Sequence, residues 1–319
     1  MFTILAILAA GLICGRIYLH FPRRAATLAE NLLGYVVWFM LAAFGLRIGS
    51  DPDIMGNLHL LGLQALVLGA AATILSGVAV SIFFRRFTPE NTTLTDPAHN
   101  SFSGKALRGS AVTLTFFAAG LVAGDLSVLP ISTSTAGMLS NLLLQILIAL
   151  VGIATGSNPR LGSILRGIRP TIVAVPVVAL VATVAAGCLA GWLLPVGSAD
   201  GGLAVTGMGY YSLSSMIISD LRSADMGAPA AMSLAAIALM SNIVREILAL
   251  TVIPVIGRRL GLYGSAAMCG VTSIDVTLPT LVSTFGAEAI PVGLVNGIIL
   301  EVATPFTLMA ACTAAAALA

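Results

Sequence analysis

Residues 58–84 read LHLLGLQALVLGAAATILSGVAVSIFF, an apolar run without a charged side chain. A helix needs about 20 apolar residues to cross the roughly 30 Å hydrocarbon core of a bilayer, and this run is longer than that. Residues 229–256 form a second long apolar run, interrupted by a single Arg-Glu pair. Both stretches predict transmembrane helices and therefore an integral membrane protein.

The composition of the whole chain agrees with these runs. Hydrophobic residues make up 58% of the 319 residues and charged residues only 9%, whereas soluble domains carry about a quarter charged residues. The alternation of a membrane barrel is missing, so the predicted fold class is all-α. A net charge of +2, without a basic stripe interleaved with aromatic residues, argues against a nucleic-acid partner.

Cysteine and histidine give no sign of a metal site or a cofactor. The cysteines lie singly in apolar runs without Cys-x-x-Cys spacing, where free cysteine acts as a small hydrophobic residue; they are Cys14, Cys188, Cys269 and Cys312. The histidines fall at segment ends or in loops, and they are His20, His59 and His99. We therefore predict no bound metal and no cofactor.

Apolar runs and the breaks between them predict about eight transmembrane helices. These lie near residues 2–20, 30–49, 58–84, 109–130, 136–156, 170–195, 228–256 and 288–316. Two further segments, 202–220 and 262–285, are apolar but interrupted by Gly, Ser, Thr and Pro. We predict that these two are broken or re-entrant helices within a single transmembrane domain, residues 1–319.

The positions of Arg and Lys orient the chain, because cytoplasmic loops accumulate these residues. With both termini outside, most of them fall in cytoplasmic loops, and only Arg47 and Arg222 lie outside. Ten full crossings would place Arg258 and Arg259 outside, so we favour eight crossings and two re-entrant elements. Ten crossings as five plus five remain the alternative, with a possible inverted repeat of residues 1–156 and 170–319.

Four charged residues fall inside the predicted membrane segments: Arg245, Glu246, Asp275 and Glu301. A charge at membrane depth costs at least ~2.5 kcal/mol, so such residues usually mark a transport pathway or a paired site. Adjacent helical residues point in different directions, so Arg245 and Glu246 each need another partner. Asn242 shares a helix face with Glu246. The structural alternative is a buried ion pair, for example Arg245 with Asp275.

Polar residues concentrate in the two interrupted segments. Residues 270–279 read GVTSIDVTLP, where Gly and Pro favour a helix break and the hydroxyls surround one carboxylate. Residues 207–214 read GMGYYSLS, whose tyrosine rings could stack on an ammonium group or anchor the chain at the membrane interface. The hydroxyl-bearing candidates for substrate or proton binding are Thr272, Ser273, Thr277, Tyr211, Ser212 and Ser214.

Three motifs in this order resemble the signature of the bacterial lysine exporter family named LysO. They are Gly207-x-Gly209-x-Tyr211-Ser212-Leu213-Ser214, Asn242-x-x-Arg245-Glu246 and Gly270-x-Thr272-Ser273-x-Asp275-x-Thr277-Leu278-Pro279. The resemblance implies an inner-membrane exporter of L-lysine and its analogue thialysine, with two essential intramembrane carboxylates at the positions of Glu246 and Asp275. The chain departs from the pattern at Tyr210, where tryptophan is expected, and at Ser215, where glycine is expected. Glu301 lies outside the pattern.

These features predict a secondary transporter, with L-lysine or a related cationic amino acid and protons as partners, in the bacterial inner membrane. The sequence contains no Gly-x-x-x-x-Gly-Lys-Ser/Thr motif, which would bind ATP and power transport. The alternative within transport is sodium- or proton-coupled movement of another cationic or polar solute. An intramembrane protease would need a second membrane aspartate or a buried histidine, so an enzyme is not predicted. The oligomeric state stays open.

Overall fold

The computed structural model describes residues 2–18, 24–85, 104–126, 138–139, 142–143, 145–150, 153, 170–274, 276–286 and 288–318. Regular structure within these residues is helical throughout, which confirms the predicted all-α class. Ten of the 21 residues of the predicted span 136–156 lie outside the described residues. The predicted loop 88–103 and the site residue Asp275 also lie outside them.

The described helices follow the predicted spans closely. They are α1 (Phe2–Tyr18), α2 (Arg24–Gly49), α3 (Pro52–Gly56), α4 (Leu58–Phe84), α5 (Gly104–Asp125), α6 (Pro170–Trp192), α7 (Ser198–Val205), α8 (Tyr211–Met226), α9 (Ala228–Cys269), a 3-10 turn (Gly270–Ile274), α10 (Leu278–Phe285) and α11 (Ala289–Leu318). Helical hydrogen bonding in α9 continues past residue 256, where the predicted span ends. The direction of that helix changes at Gly261, which takes a left-handed φ of 75°.

Within the described residues, 4 helical stretches are long and apolar enough to cross a membrane by length and composition: Leu58–Phe84, Pro170–Trp192, Ala228–Ile274 and Ala289–Ala317. Each exceeds the length that a bilayer requires. The chain is therefore a polytopic membrane protein. The number of crossings and the orientation of the termini stay predictions, as do the single domain over 1–319 and the inverted repeat.

The helices belong to two compact units that alternate along the chain. The first unit comprises Met1–Leu60, Ala111–Gly167 and Ser215–Ala236. Its helices α2 and α5 touch backbone to backbone, because a Cβ added at Gly45, Gly49, Gly120 or Gly124 would overlap a main-chain atom of the other helix. Both glycine pairs are spaced four residues apart, the spacing that lets membrane helices approach closely.

The second unit comprises Leu61–Ser110, Ile168–Ser214 and Ile237–Ala319. Its apolar core includes Met208, Met268 and Leu300, with no more than 2% of each side chain exposed. Helices α6 and α7 approach closely at Gly187 and Gly201, where a Cβ on either residue would meet the main chain of the other helix. This unit contains the second predicted interrupted segment, 262–285, and residues 202–214 of the first, whereas residues 215–220 belong to the first unit.

Both interrupted segments contain a break in the helix. In the first, α7 ends at Val205 and α8 begins at Tyr211. Between them Met208 and Gly209 have positive φ angles of 52° and 97°. In the second, α9 ends at Cys269, and Gly270, with a φ of 61°, starts the 3-10 turn. We call the segment Thr206–Tyr210 the first break and the segment Gly270–Ile274 the second break.

Candidate functional site

All predicted site residues that the structure describes belong to the second unit. Asn242, Arg245 and Glu246 lie within about one turn of α9 and are only 1%, 1% and 2% exposed. Tyr211 and Glu301 are half-buried. The remaining described candidates are buried hydroxyl residues, and they are Ser212, Ser214, Thr272, Ser273 and Thr277. The structure thus places three polar or charged α9 side chains in the interior, where each needs hydrogen-bond partners.

Asn242 stabilises the first break. Its amide oxygen accepts a hydrogen bond from the backbone N–H of Gly209 at 2.7 Å. Its amide nitrogen donates to the carbonyl of Ala204 at 3.0 Å, and a longer contact of 3.5 Å reaches Ser214 Oγ. The last carbonyls of a helix lack partners within the helix, and a buried helix end must find them elsewhere. Asn242 therefore supplies both a donor and an acceptor to the end of α7.

Side chains satisfy the helix end at the second break more completely. The last four carbonyls of α9 each accept a side-chain hydrogen bond. Asn296 donates to Ala266, Arg245 donates to Ala267 and Met268, and Thr272 donates to Cys269. A broken helix at membrane depth is tolerated only where protein or a water-filled cavity satisfies its backbone. These donors come from α9 itself, from the 3-10 turn and from α11.

Arg245 is a buried cation whose four hydrogen-bond partners in the described part of the chain are neutral acceptors. Its guanidinium donates to the carbonyls of Ala267 and Met268 at 2.6 and 3.2 Å. It also contacts the hydroxyls of Thr183 and Ser76 at 3.2 and 3.4 Å. Carbonyls at a helix C-terminus carry the negative end of the helix dipole, so they favour a cation. No carboxylate is among these four partners, all of which lie in the described part of the chain.

A backbone hydrogen bond joins the two breaks directly. The N–H of Val271 donates to the carbonyl of Met208 at 2.8 Å. Gly270 makes this approach possible, because a Cβ there would overlap the Met208 carbonyl and lie 3.1 Å from Arg245 Nε. Since α9 contacts one break through Asn242 and the other through Arg245, a single helix turn fixes the two breaks against each other.

The hydroxyl residues of the second break use their hydrogens to stabilise the turn. Ser273 Oγ lies 2.8 Å from the Gly270 carbonyl and 2.9 Å from the Gly293 carbonyl. The hydroxyls of Thr272 and Thr277 are 3.4 Å apart. Because a hydroxyl has one hydrogen and two lone pairs, such residues can still accept a bond from a cation or an ammonium group. Their predicted role in binding stays a prediction.

Three further polar residues belong to this site and were not predicted from the sequence. Ser76 on α4 and Thr183 on α6 accept from Arg245, and Asn296 on α11 donates to the Gly270 carbonyl of the second break. A single Ser or Thr within an apolar helix gives little signal, because it usually bonds to its own helix. Asn296 was more accessible to prediction, since it is an amide within a long apolar run.

The described site contains a buried carboxylate, and its ligand-type residues are too dispersed to form a metal cluster. Within the residues that the structure describes, His, Cys, Asp and Glu do not form a group of three or more that could hold a metal ion. Glu246 provides a buried carboxylate, which can carry a proton or attract a cation. Asp275, the second predicted carboxylate, lies outside the described residues.

Buried charges beside broken helices in a polytopic membrane protein are the features of a secondary transporter. Comparison with known proteins agrees with that class and identifies a family within it. The family model described as the lysine exporter LysO matches residues 114–312. The chain is 27% identical over 309 residues to the lysine exporter LysO of Escherichia coli (strain K12), covering 96% of this chain and 97% of that protein. The chain belongs to the lysine exporter family.

Proposed function

We propose that this protein exports L-lysine across the bacterial inner membrane in exchange for protons. The observation that carries the proposal is the burial of Glu246, with 2% of its surface exposed, one residue after the arginine that holds the second break. A buried acid in a membrane segment is expensive to maintain and usually functional. Membership of the lysine exporter family supports the identity of the cargo.

Charge and voltage explain why the exchange would use protons. Moving one positive charge outward against an inside-negative potential costs ~2.3 kcal/mol per 100 mV. A carboxylate that binds either an ammonium group or a proton, but not both, couples outward movement of lysine to inward movement of protons. One-for-one exchange moves no net charge, so the pH gradient and the lysine gradient would drive it.

The proposal assigns the same alternating role to Glu246 and Asp275. Thialysine, which carries the same two charged ends as lysine, would be a second cargo. We also propose that both termini face outward and that the loop at residues 88–103 is cytoplasmic, as the distribution of Arg and Lys predicts. Glu301, half-buried in α11, is a third carboxylate that could contribute to proton binding.

The test is lysine counterflow in proteoliposomes, with arginine, ornithine and sodium compared in parallel. We expect saturable lysine exchange that responds to an imposed pH gradient and not to sodium. Glu246→Gln keeps the shape and much of the hydrogen bonding of the side chain but removes its charge and its proton site. This variant should abolish net export while leaving a folded, inserted protein. Asp125→Asn is the matched control, because Asp125 is exposed at the end of α5.

Sodium-coupled transport of another solute is the competing outcome. It would appear as sodium-dependent flux, together with retained activity in the Glu246→Gln variant. A structural role for Asp275 as the partner of Arg245 gives a different pattern: Asp275→Asn would lower the folded yield, and adding Arg245→Gln would restore both yield and transport. Restored transport in that double variant would remove Asp275 from the proton-coupling mechanism.

A further inference from the structure

Asn296 on α11 combines complete burial with an unused hydrogen-bond acceptor. None of its surface is exposed. Its amide nitrogen lies 3.1 Å from the Ala266 carbonyl, 3.0 Å from the Gly270 carbonyl and 3.1 Å from Ser273 Oγ. Its amide oxygen, Oδ1, has no hydrogen-bond partner among the described residues. Three acceptors thus surround the nitrogen of this side chain, and nothing in the described structure donates to its oxygen.

The orientation of this amide follows from its neighbours. Two carbonyl oxygens face the nitrogen, and exchanging the two ends of the amide would place oxygen against oxygen. Because nitrogen and oxygen occupy opposite branches of a planar group, Oδ1 points away from the helix end that the nitrogen holds. A buried acceptor without a donor lowers stability, and such a group in a native protein requires an explanation.

A group that binds to Asn296 Oδ1 must carry a hydrogen-bond donor or a positive charge. Asn296 and Arg245 hold neighbouring carbonyls of the same helix end, at Ala266 and Ala267. Asn296 therefore lies at the break that Arg245 stabilises, and Glu246 is the next residue after Arg245. An ammonium group has three donors and no acceptor, so it matches an unused amide oxygen.

We propose that Asn296 Oδ1 binds an ammonium group of the transported amino acid. This inference rests on the proposed function. It adds a cargo-binding residue on α11, which lies outside the three motifs that resemble the lysine exporter signature. An amide does not titrate, so it can bind the cargo in every protonation state of Glu246 and Asp275. Asn296 therefore contributes to cargo affinity, whereas the carboxylates set the coupling to protons.

The test compares Asn296→Leu with Asn296→Asp in lysine counterflow. The leucine variant lacks both the donor and the acceptor, whereas the aspartate variant keeps an oxygen acceptor and loses the amide hydrogens. We expect the half-saturating lysine concentration to rise about tenfold or more in the leucine variant, as for a lost hydrogen bond to a charged group. The rise should be clearly smaller in the aspartate variant. The pH dependence of exchange should be unchanged in the leucine variant.

Thr304→Val is the matched control, because Thr304 is a buried residue of the same helix whose hydroxyl, within the described part of the chain, bonds only to the Leu300 carbonyl of that helix. Each variant is assayed on the fraction that elutes as folded protein. If Asn296→Leu yields too little, Asn296→Ser keeps one donor for the helix end and withdraws the oxygen, and the same rise is expected.

Two results would overturn the assignment. Equal half-saturation in the leucine and aspartate variants would mean that Asn296 acts only through its amide hydrogens, as a clamp on the helix end. Unchanged lysine half-saturation with altered sodium dependence would mean that Oδ1 binds a metal ion. The proposed function fails separately, through an absence of lysine counterflow in the unmodified protein.

Discussion

The two breaks of the second unit differ in which groups donate hydrogen bonds to the carbonyls of the helix end. At the first break, two of the last four carbonyls of α7 accept bonds from local backbone turns, from Thr206 to Leu203 and from Met208 to Val205, and the Thr206 hydroxyl bonds to Gly202 at the same helix end. Asn242 is the distant side chain that completes it. At the second break, side chains satisfy the final carbonyls of α9, and a full positive charge is one of the donors.

This difference predicts where the structure tolerates change. A break closed by its own backbone depends mainly on the φ angles of a few residues. A break closed by distant side chains depends on the packing of several helices at once, because α4, α6, α9 and α11 must all keep their positions. We therefore expect the second break to be the more sensitive of the two to substitution.

The largest effect is expected from a methyl group at the second break. Gly270→Ala and Gly209→Ala both place alanine at a left-handed φ, which costs about 1–2 kcal/mol. Only Gly270→Ala also creates an overlap, because its Cβ would collide with the Met208 carbonyl. At Gly209 the nearest atom is the Thr272 methyl carbon at 3.5 Å. Overpacking adds about 1–3 kcal/mol at Gly270.

Thermal stability of the two purified alanine variants in detergent measures this difference directly. Gly270→Ala should lose most of its folded yield or melt far below Gly209→Ala. Equal melting of the two variants would mean that the contact between the breaks is looser than the 2.8 Å bond from Val271 to Met208 indicates.

A smaller loss of stability is expected when lysine replaces Arg245, because the substitution keeps the positive charge but removes the planar guanidinium. Arg245→Lys retains a cation, yet an ammonium is a point charge and cannot reproduce the planar fork that spans two carbonyls and two hydroxyls. At least one buried acceptor would lose its donor, at a cost of about 1–3 kcal/mol. The readout is again thermal stability. The same change at Arg258, which is exposed, serves as the control and should alter stability little.

The two breaks can be predicted from the sequence, because they depend on residues that are close together in the chain. Gly209 and Gly270 lie in stretches with too many Gly, Ser and Thr residues to form regular helix, and both adopt left-handed backbone. Arg245 and Glu246 were equally visible, because charged residues within an apolar run demand an explanation.

The partners of those residues were not visible in the sequence. Thr183 and Ser76 are separated from Arg245 by 62 and 169 residues, and a lone hydroxyl in an apolar helix looks like one that bonds to its own turn. The pairing of Arg245 with Asp275 stays a prediction, because Asp275 lies outside the described residues, and the described partners of Arg245 are neutral carbonyls and hydroxyls. The carbonyls at a helix end become free to accept side-chain hydrogen bonds only once the break has formed. No residue type in the sequence therefore indicates them.

The smallest expected effect concerns those two hydroxyls. Ser76 lies 3.1 Å from the Thr73 carbonyl of its own helix, so its hydrogen is used there and a lone pair can accept from Arg245. Thr183→Val or Ser76→Ala alone removes one neutral acceptor from the guanidinium and should cost about 1 kcal/mol. Thr206→Val is the matched control at the first break, because the one bond of the Thr206 hydroxyl among the described residues goes to the nearby Gly202 carbonyl in α7.

The double variant distinguishes a shared role from two independent ones. Both hydroxyls contact the same guanidinium, and after one is lost the other is the remaining side-chain acceptor that the described structure provides. The combined loss of thermal stability should therefore exceed the sum of the single losses, by a coupling of about 0.5 kcal/mol or more. Additive losses no larger than that of Thr206→Val would show that the two carbonyls of α9 alone hold Arg245. The second break would then depend on its own helix end as much as the first break does, and the contrast in sensitivity between them would disappear.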